Sequence, residues 1–313
     1  MENKIFVIWL ACMVLVSGCL TETAKTNETQ TGKEYPLTIT DDLGRNVTIR
    51  AEPERIISTA PSNTEILFAL GLGDRIVGVT EYCNWPPEAL EKEKIGGFST
   101  VSVEKTVALN PDVVFASDKT GADNIEKLEN FGIPVVVLRP KVLEDVLENI
   151  ELAGKITGTK DKAKGITDSM QNRIDAVKAG AEKSKNKPRV FFAVSGEPLM
   201  AAGPETLINN LIEASGGANV FADAQTRYPV ISLESVLDRD PEIIITNTRD
   251  KHTAIDFDEV AGKGEWQGIN AVKNSRMYVI DADIVSRPGP RIVDALEQFA
   301  QWIREYGTED AQK

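Results

Sequence analysis

The sequence contains one histidine and three cysteines among 313 residues, and this scarcity excludes several kinds of site. Cys12 and Cys19 lie near the N-terminus, so Cys83 is the only thiol in the rest of the chain and no disulfide can form there. His252 lies in a charged run and is expected in a solvated loop. Without paired His or Cys residues we expect no zinc or haem-iron site and no Ser-His-Asp arrangement.

Catalytic motifs and an excess of basic residues are also missing. We find no G-x-S-x-G elbow, P-loop or H-E-x-x-H pattern, so we expect no enzymatic activity and no cofactor. The net charge of −13 argues against nucleic acid as a partner, because nucleic-acid binding requires a basic surface. After the N-terminal segment, no hydrophobic run is long enough to cross a membrane.

The first 18 residues predict a signal peptide. Lys4 precedes an apolar run from Ile5 to Val16, which is too short to span a bilayer. The following Ser17-Gly18-Cys19 resembles a lipobox, with cleavage before Cys19 and acylation of its thiol. A short membrane anchor with an incidental cysteine is the alternative. Residues 19–34 are polar and predict a flexible tether, which would hold the protein at the outer face of the cytoplasmic membrane.

From Tyr35 onward the pattern predicts an α/β protein. Residues 35–49 alternate apolar and polar positions around Asp41-Asp42-Leu43-Gly44, which favours a hairpin. Short apolar runs then alternate with helical stretches, and this order is typical of parallel sheets covered on both faces. Ser62-Asn63-Thr64-Glu65 predicts a capped helix start. The predicted strands are 55–58, 76–79, 112–116, 135–138, 189–194, 242–246 and 277–280, and the other predicted helices are 122–131, 206–214 and 291–305.

Two lobes joined by a long helix are the predicted architecture. We place the N-terminal lobe at 35–141, a helical segment at 142–187, the C-terminal lobe at 188–306 and a tail at 307–313. The second part of the helical segment is roughly 25 residues, or about 35 Å. It carries an apolar stripe, which an ordinary packed helix would carry as well. The stripe consists of Ala163, Ile166, Met170, Ile174, Val177 and Ala181.

An internal repeat supports two related lobes. Residues 102–114 align with residues 232–244, and each copy predicts a serine cap, a short helix and a buried strand. Each copy places a glutamate in the first helical turn, Glu104 in one and Glu234 in the other, where the helix dipole favours a negative charge. Any connection from a short helix to a strand could produce such a likeness by chance.

Aromatic and polar residues in loops are the candidates for ligand binding. Tyr82 and Trp85 follow a predicted strand, where open α/β sheets bind ligands. Phe98, Tyr228 and the segment Asp283 to Arg287 occupy further loops. Several aromatic residues at one edge of the sheets would suit a large, flat, partly apolar ligand. Each of them could equally have a purely structural role.

Together these segments resemble the cobalamin-binding proteins of ABC importers, within the group that also binds iron-siderophores and haem. The resemblance covers about Arg55 to Ile303 and implies two α/β lobes bridged by one long helix, with the ligand in the cleft between them. The segments that carry it are 55–65, 77–87, the two repeats and 287–292.

The resemblance implies ligand contacts residue by residue. Tyr82 matches a tyrosine that contacts the corrinoid, and Asp283 and Arg287 keep the ends of a ligand-contacting loop. The other positions differ in residue type from the family's pattern, so fewer aromatic rings are available to stack on the ligand. These are Phe98 and Tyr228 at tryptophan positions, Met200 at a phenylalanine position, and Ile284, Val285 and Ser286 between the loop ends.

The resemblance also gives Glu104 and Glu234 a role, as the pair that docks on arginines of the two permease subunits. Two carboxylates on opposite lobes can form charge-assisted bonds with two guanidiniums. The alternative is that both only favour a helix N-terminus.

We therefore expect a monomeric lipoprotein, anchored at Cys19, that binds cobalamin or a related corrinoid without chemistry. It would deliver this ligand to an ABC permease dimer with its ATPase subunits. An iron-siderophore or haem receptor of the same importer class is the alternative, in which Tyr82 or Tyr228 could ligate haem. A cell-surface enzyme, an adhesion module or a signalling receptor on the same fold are alternatives of another class.

Overall fold

The computed structural model describes residues 35–184, 186–247 and 264–310, together with residues 255, 257 and 262. Contacts divide the chain into two units, Met1–Glu34 and Tyr35–Lys313, and the fold described below belongs to the second. The predicted signal peptide, tether and lipidation site at Cys19 lie outside the described residues, as does His252.

The predicted hairpin is present as strands β1 (Leu37–Thr40) and β2 (Asn46–Ile49), which pair in antiparallel register. Asp41 fixes the turn between them. Its buried carboxylate accepts hydrogen bonds from the backbone N–H groups of Leu43 and Arg45, and it also accepts one from Val137. One side chain therefore shapes the turn and attaches the hairpin to the rest of the lobe.

Asp41 makes the stability of this lobe depend on pH. Burial alone would raise the pKa of Asp41, but hydrogen bonds from Arg45 and Val137 outweigh it and hold the pKa below the usual 3.8. Because the folded-state pKa lies below that of the unfolded chain, the ionised carboxylate stabilises the fold fully above about pH 4. This stabilisation is lost as the pH falls through the folded-state pKa.

We expect Asp41→Asn to lower the free energy of unfolding by about 1.5–3 kcal/mol at neutral pH, because it removes charge-assisted hydrogen bonds. The difference in the free energy of unfolding between the parent protein and the variant should disappear between about pH 4 and pH 2. Denaturant unfolding of both proteins at a series of pH values measures this difference. A difference that stays constant down to the lowest pH would contradict the role given to the Asp41 carboxylate.

The N-terminal lobe is built on a four-stranded parallel sheet. Its strands are β3 (Ile56–Ser58), β4 (Ile76–Val79), β5 (Val113–Ala116) and β6 (Val135–Val137), and its helices are α1 (Pro61–Ala69), α2 (Val103–Ala108) and α3 (Ala122–Asn130). The strand order is β4-β3-β5-β6. Buried apolar residues lie on both faces, as the run of β-branched residues in each strand predicts.

The C-terminal lobe is built on a second, mainly parallel sheet. Its strands are β7 (Arg189–Gly196), β8 (Leu199–Ala201), β9 (Ala218–Asn219), β10 (Ile243–Asn247) and β11 (Met277–Ile280). Its order is β11-β10-β7-β8, with β9 also on β7, and only β8 runs antiparallel to its neighbour. The helices that follow the interlobe segment are α6 (Leu207–Ala214), α7 (Leu233–Arg239), α8 (Asn270–Lys273), α9 (Ala282–Val285) and α10 (Ile292–Asp310).

Two consecutive helices, α4 (Leu143–Ile156) and α5 (Lys160–Glu182), connect the sheets. The 23 residues of α5 extend about 35 Å, as predicted, and most of the predicted apolar stripe is buried. At Gly154 of α4 a Cβ atom would lie 2.4 Å from that of Ala163, so glycine permits the close packing of the two helices. One hydrophobic core runs from the first sheet past α4 and α5 to the second sheet and α10.

Two predicted helix ends differ from the structure. The helix predicted to be capped by Ser62 begins at Pro61, and its N-cap residue is Ala60, which has no side chain able to cap. Proline is well suited to the first helical position, because a backbone N–H there would have no partner within the helix and proline has no N–H. The terminal helix continues to Asp310, beyond the predicted lobe end at residue 306.

Candidate functional site

Two loops from opposite lobes meet at the carboxyl ends of their strands. The 80–85 loop follows β4, and the 281–291 loop follows β11. Asn84 Nδ2 donates to Asp283 Oδ2 at 3.2 Å, and Arg287 donates to Asn84 Oδ1 at 2.7 Å. The sequence-predicted residues Tyr82, Asp283 and Arg287 therefore lie at one place between the lobes.

Tyr82 presents its ring on the surface of the 80–85 loop and is 60% exposed. Its neighbour Cys83 is fully buried and holds the loop in place, because the Cys83 sulphur contacts the Thr64 and Thr80 hydroxyls at 3.1 and 3.2 Å. Glu81 N–H donates to the Gly96 carbonyl, which brings the segment with Phe98 alongside. Phe98 is partly exposed there.

Met200 and Tyr228 form a second group, in the C-terminal lobe. Met200, at the middle of β8, is paired with Val230 in an isolated antiparallel bridge. Tyr228 lies two residues before Val230, is 43% exposed, and has the Arg227 guanidinium 5.9 Å from its ring centre. The two candidate residues thus lie on adjacent segments, one partly buried and one accessible.

The 281–291 loop divides its predicted contact residues between surface and core. Ser286 is exposed and Asp283 is partly exposed. Ile284 packs partly against the hydrophobic core, and Val285 is 1% exposed within it. α9 is a single helical turn, and the side of it that carries Ala282 and Val285 is buried. The Val285 side chain therefore lies beneath the loop.

The Arg287 guanidinium is held by four groups. It donates to Glu65 Oε1 at 3.1 Å, to Asn84 Oδ1 and, at 3.5 Å, to the Tyr82 carbonyl, and it pairs with Asp283 Oδ1 at 2.7 Å. Three of these groups belong to the N-terminal lobe. The protein itself therefore occupies much of the hydrogen-bonding capacity of Arg287.

Trp85 lies beneath a second arginine of the same loop. The Arg291 guanidinium is 4.5 Å from the Trp85 ring centre and pairs with Glu65. The hydrogen bonds with Glu65 raise the pKa of Arg291 against the opposing effect of burial. Trp85, Arg291, Phe68 and Glu88 line a groove of about 490 Å³. In this structure the Trp85 ring is thus engaged by a side chain of the other lobe.

Glu104 and Glu234 occupy equivalent places in the two lobes. Each lies exposed in the first turn of a short helix, α2 or α7, and neither carboxylate forms a hydrogen bond or ion pair with the described residues. The N-cap hydroxyls of Ser102 and Ser232 accept from the backbone three residues on, at 3.2 and 3.1 Å. The predicted serine caps are confirmed.

The likeness of the two copies extends beyond the aligned segment. Arg55, just before β3, donates to the Leu109 and Asn110 carbonyls at the end of α2, and Arg189, the first residue of β7, donates to the Asp240 carbonyl at the end of α7. Asn110 and Asp240 both adopt the left-handed conformation, with φ of 45° and 40°. Matching arginine clamps and matching unusual backbone angles make chance an inadequate explanation for the repeat.

The sequence model of the periplasmic binding protein family matches residues 56–284. The chain belongs to this family. Among the part of the chain that the structure describes, no group of three or more His, Cys, Asp or Glu side chains is placed to hold a metal ion. In the same residues, we find no helix with the length and apolar character needed to cross a membrane.

Relatives of this binding protein match most of its length. YvrC of Bacillus subtilis, an uncharacterised ABC transporter substrate-binding lipoprotein, is 34% identical over 308 residues, covering 95% of this chain and 96% of that protein. A vitamin B12-binding protein of Vibrio cholerae is 30% identical over 257 residues, covering 80% of this chain and 89% of that protein.

Solved structures share the fold. The periplasmic vitamin B12 binding protein BtuF of Vibrio cholerae has a TM-score of 0.72 and 29% identity, with 82% of this chain and 98% of that chain covered. The periplasmic heme-binding protein RhuT of Roseiflexus, in apo form, has a TM-score of 0.73 and 25% identity, with 81% and 99% covered. Two α/β lobes and a long connecting helix, as the sequence predicts, are therefore the architecture of this binding protein.

Sequence reasoning did not identify Glu65 and Asn84 as site residues. Both make contacts with the other lobe. A signal for Glu65 was available, since it is the only charged residue of α1 and precedes the apolar Ile66-Leu67-Phe68-Ala69. A carboxylate on such a helix needs a partner when it is buried. The partner itself could not be inferred, because it comes from the other lobe.

Proposed function

We propose that this protein is the substrate-binding component of an ABC importer and that its ligand is cobalamin or a related corrinoid. The observation that carries the proposal is the meeting of the 80–85 and 281–291 loops between the lobes, with Tyr82 exposed beside it. The similarity to vitamin B12-binding proteins over 80% of the chain supports the choice of ligand.

The charges at this place favour a ligand without strong negative charge. Arg287 is paired with the carboxylates of Glu65 and Asp283. A guanidinium neutralised in this way offers little attraction to an anionic ferric siderophore. The exposed rings of Tyr82 and Tyr228 instead suit apolar contact with a large, flat ligand.

Export and membrane attachment are part of the proposal. The lipobox-like Ser17-Gly18-Cys19 would anchor the mature protein, and residues 19–34 would let the binding unit reach a permease. The exposed Glu104 and Glu234, one on each lobe, would dock on two arginines of the permease dimer.

Calorimetric titration of the chain from Thr21, which retains the whole unit Tyr35–Lys313, tests the ligand. The ligands are cyanocobalamin, cobinamide, haem and a ferric hydroxamate. Saturable one-to-one binding of a corrinoid supports the proposal. Binding of haem or the hydroxamate alone would overturn cobalamin as the ligand. No binding of any of the four ligands would contradict the proposal of a corrinoid carrier.

We expect Tyr82→Ala and Tyr228→Ala each to weaken corrinoid binding roughly 10- to 100-fold, because each removes an aromatic contact worth about 1.5–3 kcal/mol. Phe131→Ala is the matched control, since Phe131 is an exposed ring at the end of α3. An equal loss in all three variants, or no loss in either tyrosine variant, would exclude the assigned cleft.

A further inference from the structure

Glu65 is a carboxylate buried within α1, and its side chain is only 2% exposed. Burying an ionised group is costly unless it is paired and hydrogen-bonded. Both partners of Glu65 come from the other lobe. Arg291 binds it with two hydrogen bonds, Nε to Oε2 at 2.9 Å and Nη2 to Oε1 at 2.6 Å, and Arg287 adds one at 3.1 Å.

Further contacts surround this pair of arginines. Arg287 also donates to the Asn84 side chain and to the Tyr82 carbonyl, and Arg291 covers the Trp85 ring. The segment between the arginines is Pro288-Gly289-Pro290, in which two prolines restrict the backbone. Both guanidiniums are therefore delivered to α1 and the 80–85 loop by a stiff connection.

The placement of this contact matters for the motion of the lobes. The chain passes from the first sheet to the second once, through α4 and α5. Two bodies joined at one connection can rotate about it, whereas a second attachment far away in sequence opposes that rotation. The lobes share a hydrophobic core along α4 and α5, and the Glu65–Arg291 contact, which joins residues 226 positions apart, supplies a further attachment.

We infer that Glu65, Arg287 and Arg291 form an interlobe latch that sets the width of the cleft and positions the 281–291 loop. In this arrangement Arg287 serves ligand binding through the position of its loop. The inference rests on the proposed function only where it calls the space between the lobes a ligand cleft.

Pulsed electron-paramagnetic distance measurement without ligand tests the latch. The chain from Thr21 receives spin labels at Ala108→Cys and Asp238→Cys, two exposed positions on α2 and α7. Cys83, the only native cysteine left, is fully buried and should not be labelled. We expect a single narrow distance in the parent protein and a broadened or lengthened distribution in Glu65→Gln, which removes the charge but keeps the side-chain size.

Glu88→Gln is the matched control, because Glu88 is exposed in the same groove and its loss changes the net charge equally. It should leave the distance distribution unchanged. Arg287→Gln keeps the two hydrogen bonds between Arg291 and Glu65, so it should fold even if Glu65→Gln does not, and it should broaden the distribution to a smaller extent.

Distributions in both latch variants that match the parent protein would overturn the latch. If Glu65→Gln does not fold, the result for Arg287→Gln decides alone. Because the labels are measured without ligand, these outcomes do not depend on which ligand binds. A failed titration with corrinoids would count against the proposed ligand and leave the latch intact.

Discussion

Charge reversal of both Glu104 and Glu234 to arginine is expected to abolish uptake of the ligand while its binding stays unchanged. If the two carboxylates dock on permease arginines, each reversal replaces a charge-assisted bond with repulsion. Losing a close charge pair at an interface costs about 2–5 kcal/mol, so two reversals should weaken docking at least about a thousand-fold. The measurement is uptake of labelled cyanocobalamin by cells that carry the variant in place of the native protein.

The rigid setting of the two glutamates makes this test specific. Serine caps fix the start of each short helix, and Arg55 and Arg189 fix its end. Reversing two other exposed acids, Glu126 on α3 and Glu213 on α6, changes the net charge by the same amount and should leave uptake intact. Normal uptake by the double variant of Glu104 and Glu234 would instead assign these residues to helix stability alone.

Phe192→Ala is expected to cause a large loss of stability. Phe192 is fully buried on β7, and its ring centre lies 6.1 Å from that of Phe299 on α10. Truncation leaves a cavity in the core that both lobes share, which should cost about 3–5 kcal/mol. Denaturant unfolding followed by circular dichroism measures the free energy of unfolding.

Phe131→Ala provides the comparison, because Phe131 is 64% exposed and its truncation should change the free energy of unfolding by less than about 0.5 kcal/mol. The shared core also predicts that both lobes unfold in one transition. Two separate transitions, or a cost below about 1 kcal/mol for Phe192→Ala, would show that the lobes do not depend on a common core.

The secondary structure could be predicted largely from local pattern. Apolar runs such as Val113–Ala116 and Ile243–Asn247 are strands because β-branched residues buried on both faces suit a parallel sheet. The serine caps of α2 and α7 were also predictable from local pattern, because a cap is a hydrogen bond between groups only three residues apart. The strand β8 was missed, because it has only three residues and pairs antiparallel with β7.

The candidate site was predictable in part. Position in a loop identified Tyr82 and the segment from Asp283 to Arg287, and the resemblance added Met200. Burial could not be assigned within the 283–287 segment, because a single helical turn carries no clear periodicity. Val285 therefore proved to lie in the core, whereas the neighbouring Ser286 is exposed.

The sequence by itself determined the α/β class, the bridging helix, the repeat and the scarcity of groups for metal or nucleophilic chemistry, because these depend on composition and on residues close together in the chain. Only the tertiary structure decided what Glu65 binds and how Arg287 is used. Their contact joins residues 222 positions apart, and its formation depends on how the whole chain packs. The electrostatic contact between the lobes therefore belongs to the folded protein and to no segment of its sequence.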